Sequence, residues 1–467
     1  MNKQLDYDIK HIETLLEAIK LQGINYLKEI NNRATSKKTL EHKISHLNEV
    51  GLGGLETLQL FNEKFENLIV STTGPRYLGY VIGGTTPASI VGDWLATIYD
   101  QNPQTNNAQG DISMLIEKET IGLLLNLFNL PNLFVGGFVT GATMSNFTCL
   151  GVARQWFGKE KGLDFAKDGV SASIKILSAV PHSSSLKTLS MLGIGSNNYE
   201  KIEIEKGNRE SICMDDLKLK IKRMNGEPFI LISSAGTVNS ADFDDFKIIS
   251  ELKEKHNFWW HIDGAFGAFA ACSPSHKYLL EKWENADSIT IDCHKWLNVP
   301  YDSAIFLIKE EYKVLQMETF QNSNAPYLGN PEEDFNYLNF LPENSRRLRA
   351  LPAWFSLTAY GKKGYQYIVE NSITMARTLG DFIEQNEKFE LLAPVRLNTV
   401  CFTLKGEKES NKILGFLSNL NNSEKVYMTP TFYKNQQAIR ASFVNWRTNL
   451  TDIEIIIDEL KKAYLSN

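Results

Sequence analysis

The stretch Ala286-Asp-Ser-Ile-Thr-Ile-Asp-Cys-His-Lys-Trp-Leu-Asn-Val-Pro-Tyr301 decides how the chain is read. Ile289 and Ile291 alternate with polar neighbours, as in a buried strand. The strand then delivers His294 and Lys295 side by side, followed by Trp296 and a turn at Pro300. A lysine where a buried strand stops has two readings. It snorkels out to water, or it presents a desolvated amine suited to attack an aldehyde. Its neighbours along the chain separate the two.

Working outward, residues 258–263 (Phe-Trp-Trp-His-Ile-Asp) form a second apolar run, joined to the first by a helical stretch with Tyr278, Leu279, Leu280 and Trp283. Residues 228–234 read as a strand ending in Ala235-Gly-Thr-Val-Asn239, with a helix from about Asp244 through Leu252 behind it. Residues 174–180 are another, ending at Pro181-His182 before a helix through Leu186, Leu189 and Leu192. Residues 134–140 are another, running into Gly141-Ala-Thr-Met-Ser-Asn146 and a helix with Phe147, Leu150 and Trp156 on its apolar side. Strands alternating with helices at this spacing predict crossover connections and a largely parallel, buried sheet. Ligands of such sheets bind off the carboxyl ends of the strands. Thr143, His182, Thr237, Asp263, His294 and Lys295 all fall at those ends. Asp263 precedes Lys295 by 32 residues, about one strand–helix–strand step of ~30 residues. Carboxylate and amine are therefore expected at one sheet edge, on strands that are neighbours or nearly so.

The rest of the chain sets bounds. Its 467 residues, 43% of them hydrophobic, suffice for a large core in two or three domains. Boundaries are expected at 1–73 (helical), 74–345 (the large α/β domain) and 346–467 (a small α+β domain). A net charge of -6, with both signs interspersed, argues against nucleic acid or an anionic membrane as partner. Five widely spaced cysteines without a Cys-x-x-Cys pair read as reduced thiols, and a start without an apolar signal core points to the cytoplasm. Ile12, Leu15, Leu16 and Ile19, then Leu55, Leu58, Leu60, Phe61 and Phe65, make amphipathic helical stripes, expected in a core or a subunit interface. Residues 74–87, rich in glycine and aromatics, suit a loop wrapped around a pocket. Residues 317–344 read as a long mobile loop. Arg346–Arg349 open a long helix through Trp354 and Tyr360. Strands at 391–404, 426–433 and 438–444 follow, with a helix at 411–420 and a last helix from Thr451, capped with Glu454 three residues on.

If Lys295 holds an aldehyde cofactor, the other needs of pyridoxal 5'-phosphate can be met from the same strand ends. A carboxylate must keep the ring nitrogen protonated, and Asp263 is placed to do so. The phosphate asks for backbone donors at a helix start, which Ala142 and Thr143 offer, with His294 beside them. His182 is available to cover the ring face.

His261-x-Asp263-Gly264-Ala265 together with Asp292-Cys293-His294-Lys295-Trp296-Leu297 resembles the group II pyridoxal-phosphate-dependent amino-acid decarboxylases, which include the aromatic L-amino-acid and glutamate decarboxylases. Residues 79–87, 140–146, 181–184, 236–239, 345–349 and 439–443 resemble the same family in the same order, so the likeness runs from about 70 to 460. It implies the fold type I transferase architecture: an α/β large domain on a mainly parallel seven-stranded sheet, with a small α+β C-terminal domain. It implies decarboxylation of an L-amino acid to the amine and carbon dioxide, in a homodimer with a shared active site. By this resemblance Lys295 is the Schiff-base lysine, Asp263 pairs with the ring nitrogen and His182 stacks on the ring. Ala142, Thr143 and His294 hold the phosphate, and Thr237 and Ala265 lie near the ring. Tyr327, in the mobile loop, donates a proton at the substrate carbon; Arg440 meets a carboxylate and Tyr80 lines the substrate pocket. No metal is expected. Two positions depart from many relatives: Asp292 stands for an asparagine and Ala142 for a glycine.

Tyr77 and Tyr80 tilt the substrate towards aromatic amino acids, against an acidic or diamino acid. An aminotransferase or aldehyde synthase on the same scaffold is the nearest rival, since fold does not fix reaction. His261-x-Asp263 with His294 also admits a metal-dependent hydrolase, ranked lower because Lys295 beside His294 would repel a cation.

Overall fold

The computed structural model describes residues 2–38, 46–104, 112–321 and 336–466. The large sheet contains β1 (Phe134–Val139), β2 (Ile176–Ser178), β3 (Glu200–Lys201), β4 (Phe229–Ser234), β5 (Phe258–Asp263), β6 (Ser288–Asp292) and β7 (Ala304–Lys309). Their spatial order is β1-β7-β6-β5-β4-β2-β3. Strands β6, β5, β4, β2 and β3 pair in parallel, and β7 runs antiparallel to both its neighbours. The expected mainly parallel seven-stranded sheet is present. Strands β5 and β6 are direct neighbours, with Asp263 opposite Thr290.

These strands read as continuous apolar runs because both faces are covered, and the alternation of side chains divides them between two cores. Trp259 and Trp260, both fully buried, show the split. Trp259 packs with Ile230, Ile232, Phe306 and Ile308 against the helix Ala142–Glu160, through Leu150, Val152 and Trp156. Trp260 joins Leu231, Ile289, Ile291 and Leu307 against Leu124, Leu217 and Leu351 on the opposite side.

A second sheet holds β8 (Phe389–Leu391), β9 (Thr399–Leu404), β10 (Thr429–Tyr433) and β11 (Gln436–Ser442) in the order β10-β11-β9-β8, all antiparallel. Phe416 and Ile456, from the helices Ser410–Asn422 and Leu450–Leu465, pack on Phe402 and Ile439 of this sheet. The helix Ala350–Gln385 reaches both units. Gly361, at φ 57° and ψ -170°, breaks it, so Leu351 and Leu357 pack with the large sheet while Leu379 and Ile383 pack with the small one.

Several local expectations shift. The long helix begins at Ala350, not at Arg346, whose side chain instead turns into the core. Residues 277–285 form two short 3-10 turns in place of a helix. The last helix is capped two residues earlier than expected, by Asn449 with Asp452 returning the hydrogen bond. The stripe of the N-terminal helices is not core in this chain: Lys3–Lys10, Ile12–Glu29 and Gly54–Lys64 contribute no buried residue, and Ile12, Leu16 and Ile19 are exposed. Among the described residues no helix is long and apolar enough to cross a membrane, and all five cysteines are free thiols.

Candidate active site

Parallel pairing brings the carboxyl ends of β2, β4, β5 and β6 to one edge, and a cavity of about 460 Å³ opens there. Of the residues singled out in the sequence, Tyr80, His182, Thr237, Asp263, Ala265, Lys295 and Arg440 line it. Ala142, Thr143 and His294 do not. Tyr327 lies outside the described residues. A larger, open depression of about 1080 Å³ around residues 127–131 and 271–284 contains none of the predicted site residues.

Lys295 sits in the single helical turn Cys293–Trp296 that follows β6. Main-chain hydrogen bonds from Cys293 and His294 to the Ser303 carbonyl fix that turn, and Trp296 anchors it through Ser372. The glycine-rich loop lies directly against it. The Gly83 amide donates to the His294 carbonyl, and a Cβ on Gly83 would stand 2.0 Å from the Lys295 carbonyl oxygen. Only glycine allows that approach. The Lys295 Nζ lies 2.8 Å from Asp292 Oδ2 and faces the Phe266 ring.

Asp263 ends β5, buried, with three donors: Asn146 Nδ2 at 3.1 Å, Ser185 Oγ at 3.2 Å and the Ala265 amide at 3.2 Å. Burial works against its ionisation, but the nearby His182, His261 and Lys295, with the Asn146 hydrogen bond, outweigh it and hold the carboxyl below its usual range. Asn146 also accepts from His261 Nε2 at 2.9 Å, while His261 Nδ1 meets Ser288 Oγ at 2.8 Å. The amide oxygen can only accept, so His261 Nε2 is the donor in this bond. Asn146 thus ties Asp263 and His261 into one buried relay. It stands one helical turn after Ala142, on the face of its helix turned to the strand ends, and that spacing was the available signal in the sequence. Pairing of both ring nitrogens of His261 also removes it as a metal ligand.

His182 caps the helix Ser183–Met191: its Nδ1 accepts from the Ser184 amide at 3.2 Å and meets Ser184 Oγ at 2.7 Å. The cap fixes the ring, and burial depresses its basicity, with Asp263 pulling the other way. Thr237 lines the cavity, yet its hydroxyl donates to the buried Glu210 at 2.6 Å and accepts from the Asp242 amide at 3.0 Å. Arg440, on β11, donates from Nη1 to the Val238 carbonyl at 3.2 Å, and its buried Nε has no partner among the described residues. Tyr80 stands at the rim with φ 56°, its hydroxyl 3.3 Å from that of Tyr427, on which Tyr77 stacks at 4.6 Å. Neither Tyr427 nor Phe266 was singled out in the sequence, because each reaches the site only through tertiary packing. His294 is pinned beside the cavity: Nδ1 accepts from the Ser303 amide, Tyr301 stacks on the ring at 4.2 Å, and Nε2 faces Asp292 at 3.5 Å. The Ala142 amide donates to the same carboxylate at 2.6 Å.

Burial pushes the His261 pKa down to about 4. The unfolded chain protonates a histidine near 6.5, so between pH 6.5 and 4 it takes up a proton that the folded state refuses, and His261 lowers stability as pH falls. The Tm advantage of the wild type over His261→Gln should shrink across that window. A difference independent of pH would remove this histidine from the acid response.

Comparison with known proteins agrees with this geometry. The chain is 28% identical over 427 residues to the aromatic-L-amino-acid decarboxylase of Bacillus atrophaeus, covering 88% of this chain and 86% of that protein. It is 26% identical to the phenylacetaldehyde synthase of Petunia hybrida over 391 residues, 78% of this chain and 76% of that one. The crystal structure of Oryza sativa TDC with PLP and tryptamine superposes with a TM-score of 0.89 over 98% of both chains at 18% identity, a likeness of fold. The model of the pyridoxal-dependent decarboxylase conserved domain matches residues 56–405. With the lysine, the carboxylate and the strand-end cavity in place, the chain belongs to the group II pyridoxal-phosphate-dependent amino-acid decarboxylases.

Proposed function

We propose that the protein decarboxylates an aromatic L-amino acid to its amine, with the chemistry centred on Lys295 and Asp263. The observation that carries this reading is the meeting of a buried carboxylate and an amine at the ends of adjacent strands, in one cavity. That donor set fits pyridoxal phosphate. The cofactor supplies an aldehyde that condenses with amines, losing water, and a protonated ring that takes up the electron pair left at Cα.

The chain's own groups then have distinct tasks. Asp263, held below its usual range by the neighbouring His182, His261 and Lys295 together with the Asn146 hydrogen bond, would keep the ring nitrogen protonated. His182, fixed by its capping bond, covers the ring. Ala265 and Thr237 shape the walls, Thr237 through its methyl because its hydroxyl is committed to Glu210. Arg440, whose buried Nε has no partner among the described residues, receives the substrate carboxylate. An aromatic amino acid has a single carboxylate, so the group that Arg440 receives is the one lost as carbon dioxide, beside the apolar side chains of Val81, Phe266 and Val238. Tyr327 delivers a proton to Cα. Tyr80 in the cavity lining, with Tyr427 and Tyr77 stacked behind it, supports an aromatic side chain, in keeping with the aromatic L-amino acids in the name of the Bacillus protein.

A homodimer in the cytoplasm completes the proposal. The exposed stripe of the N-terminal helices borders an almost wholly apolar cavity of about 670 Å³ with Phe61, Trp94 and Ile98, a surface suited to a second copy. Incubating the holoenzyme with single amino acids, and measuring amine, carbon dioxide, aldehyde and keto acid, tests the reaction. Tyrosine, tryptophan or phenylalanine should give amine and carbon dioxide in equal amounts. Turnover restricted to glutamate or a diamino acid would refute the substrate class, and aldehyde or keto acid as main product would refute the reaction.

A further inference from the structure

We propose that Asp292 is an internal competitor for the cofactor, a positioning residue whose carboxylate must leave two of the cofactor's own contacts before pyridoxal phosphate is held. The proposal rests on the assignment of Lys295 and Ala142 as cofactor residues. Asp292 is the last residue of β6 and is 2% exposed. Its Oδ1 accepts from the Ala142 amide at 2.6 Å and its Oδ2 pairs with Lys295 Nζ at 2.8 Å, while His294 Nε2 stands 3.5 Å from Oδ1. One carboxylate therefore engages a backbone donor at the start of the helix Ala142–Glu160, the amine, and the neighbouring imidazole. These are the three kinds of group that a phosphate and an aldehyde would need.

The chemistry of the competition is direct. A free amide at the start of a 19-residue helix favours an anion, and here the chain supplies that anion itself. A phosphate arriving at the same donor meets a like charge in a site shielded from water, where repulsion is only weakly screened. The Lys295 amine is meanwhile held as an ion pair, whereas condensation with an aldehyde needs the neutral amine and releases one water. Asparagine in this position keeps the size and the acceptor oxygen for the Ala142 amide. It removes the charge, and its amide hydrogens can donate to a phosphate oxygen. The turn does not depend on the carboxylate, since Cys293 and His294 are held through Ser303, and Gly83 through the His294 carbonyl.

The test compares cofactor-free wild type with Asp292→Asn, titrating each with pyridoxal 5'-phosphate and, separately, with pyridoxine 5'-phosphate. The second compound has the ring and phosphate but no aldehyde, so it reads the anion competition alone. Asp292→Asn should bind pyridoxine phosphate on the order of tenfold tighter, and should retain pyridoxal phosphate longer on dialysis. Borohydride reduction followed by peptide mapping locates the reacting lysine. Equal or weaker binding of pyridoxine phosphate by the variant, with the borohydride mark on Lys295, overturns the proposal alone. A mark on another lysine overturns the site assignment and this proposal with it.

Discussion

Replacing Lys295 with alanine should lower turnover by about 10³-fold or more, because no other amine among the residues lining the cavity can replace it. The loss should be accompanied by disappearance of the borohydride-fixed cofactor adduct. The fold should survive, since the turn around Lys295 is held by main-chain bonds and by the anchored Trp296. Cofactor should then bind only through its ring and phosphate, so the Tm increment on adding pyridoxal phosphate should also shrink. Turnover within tenfold of wild type in a well-folded Lys295→Ala protein would remove Lys295 from the reaction.

The largest effect on stability is expected far from the lysine. Glu117 and Arg346 are each almost wholly buried, with Arg346 Nη1 and Nη2 at 3.0 and 3.1 Å from the two carboxylate oxygens. Glu117 also accepts from the Phe138 amide at 2.8 Å, and Arg346 donates to the carbonyls of Phe138 and Pro103. Taking both charges out of water is costly, so the intact pair adds little net stability. Removing one partner strands the other. Glu117→Ala should therefore lose about 3–5 kcal/mol, a Tm decrease of about 3–5 °C for a chain of this length. Glu117→Gln, which keeps the acceptor for Phe138, should lose less. A loss under about 1 kcal/mol in Glu117→Ala would mean that Arg346 finds water or another partner.

The sequence revealed most where the signal is local and periodic. The runs that became β1, β4, β5 and β6 are almost wholly covered segments between connecting stretches, and their spacing foretold that Asp263 and Lys295 would meet at one sheet edge, from strands that are neighbours or nearly so. Strand β7 was not legible in the same way. Its run Ala304–Lys309 is as apolar as a parallel strand, and nothing in period or composition states its direction. The site separates along the same line. Residues at strand ends could be placed from order alone, whereas the bond from Ala142 to Asp292 joins positions 150 residues apart. Asn146 lay within a quoted motif, but its bridge between Asp263 and His261 follows from the packing of the helix Ala142–Glu160 against β5. The hydroxyl of Thr237 illustrates the limit: its place at the cavity was foreseen, and its commitment to Glu210 was not.

The clasp between the glycine-rich loop and the far end of the chain sets a timetable. Asn445 donates to the carbonyls of Thr73 and Gly74, Thr448 to that of Pro75, and the Leu78 amide to the carbonyl of Tyr427. During synthesis at about 5–20 residues per second, roughly 20–70 s separate the emergence of residue 84 from that of residue 445. The pocket wall carrying Tyr80 and Val81 stays without its clasp for all of that interval. The large sheet can assemble while the chain is still growing, but its binding edge closes only when the last strand and its following loop arrive. Such late, distant contacts make closure slow as well. A complete place for the cofactor therefore awaits the arrival of Tyr427, Asn445 and Thr448, however well the sheet before them has formed.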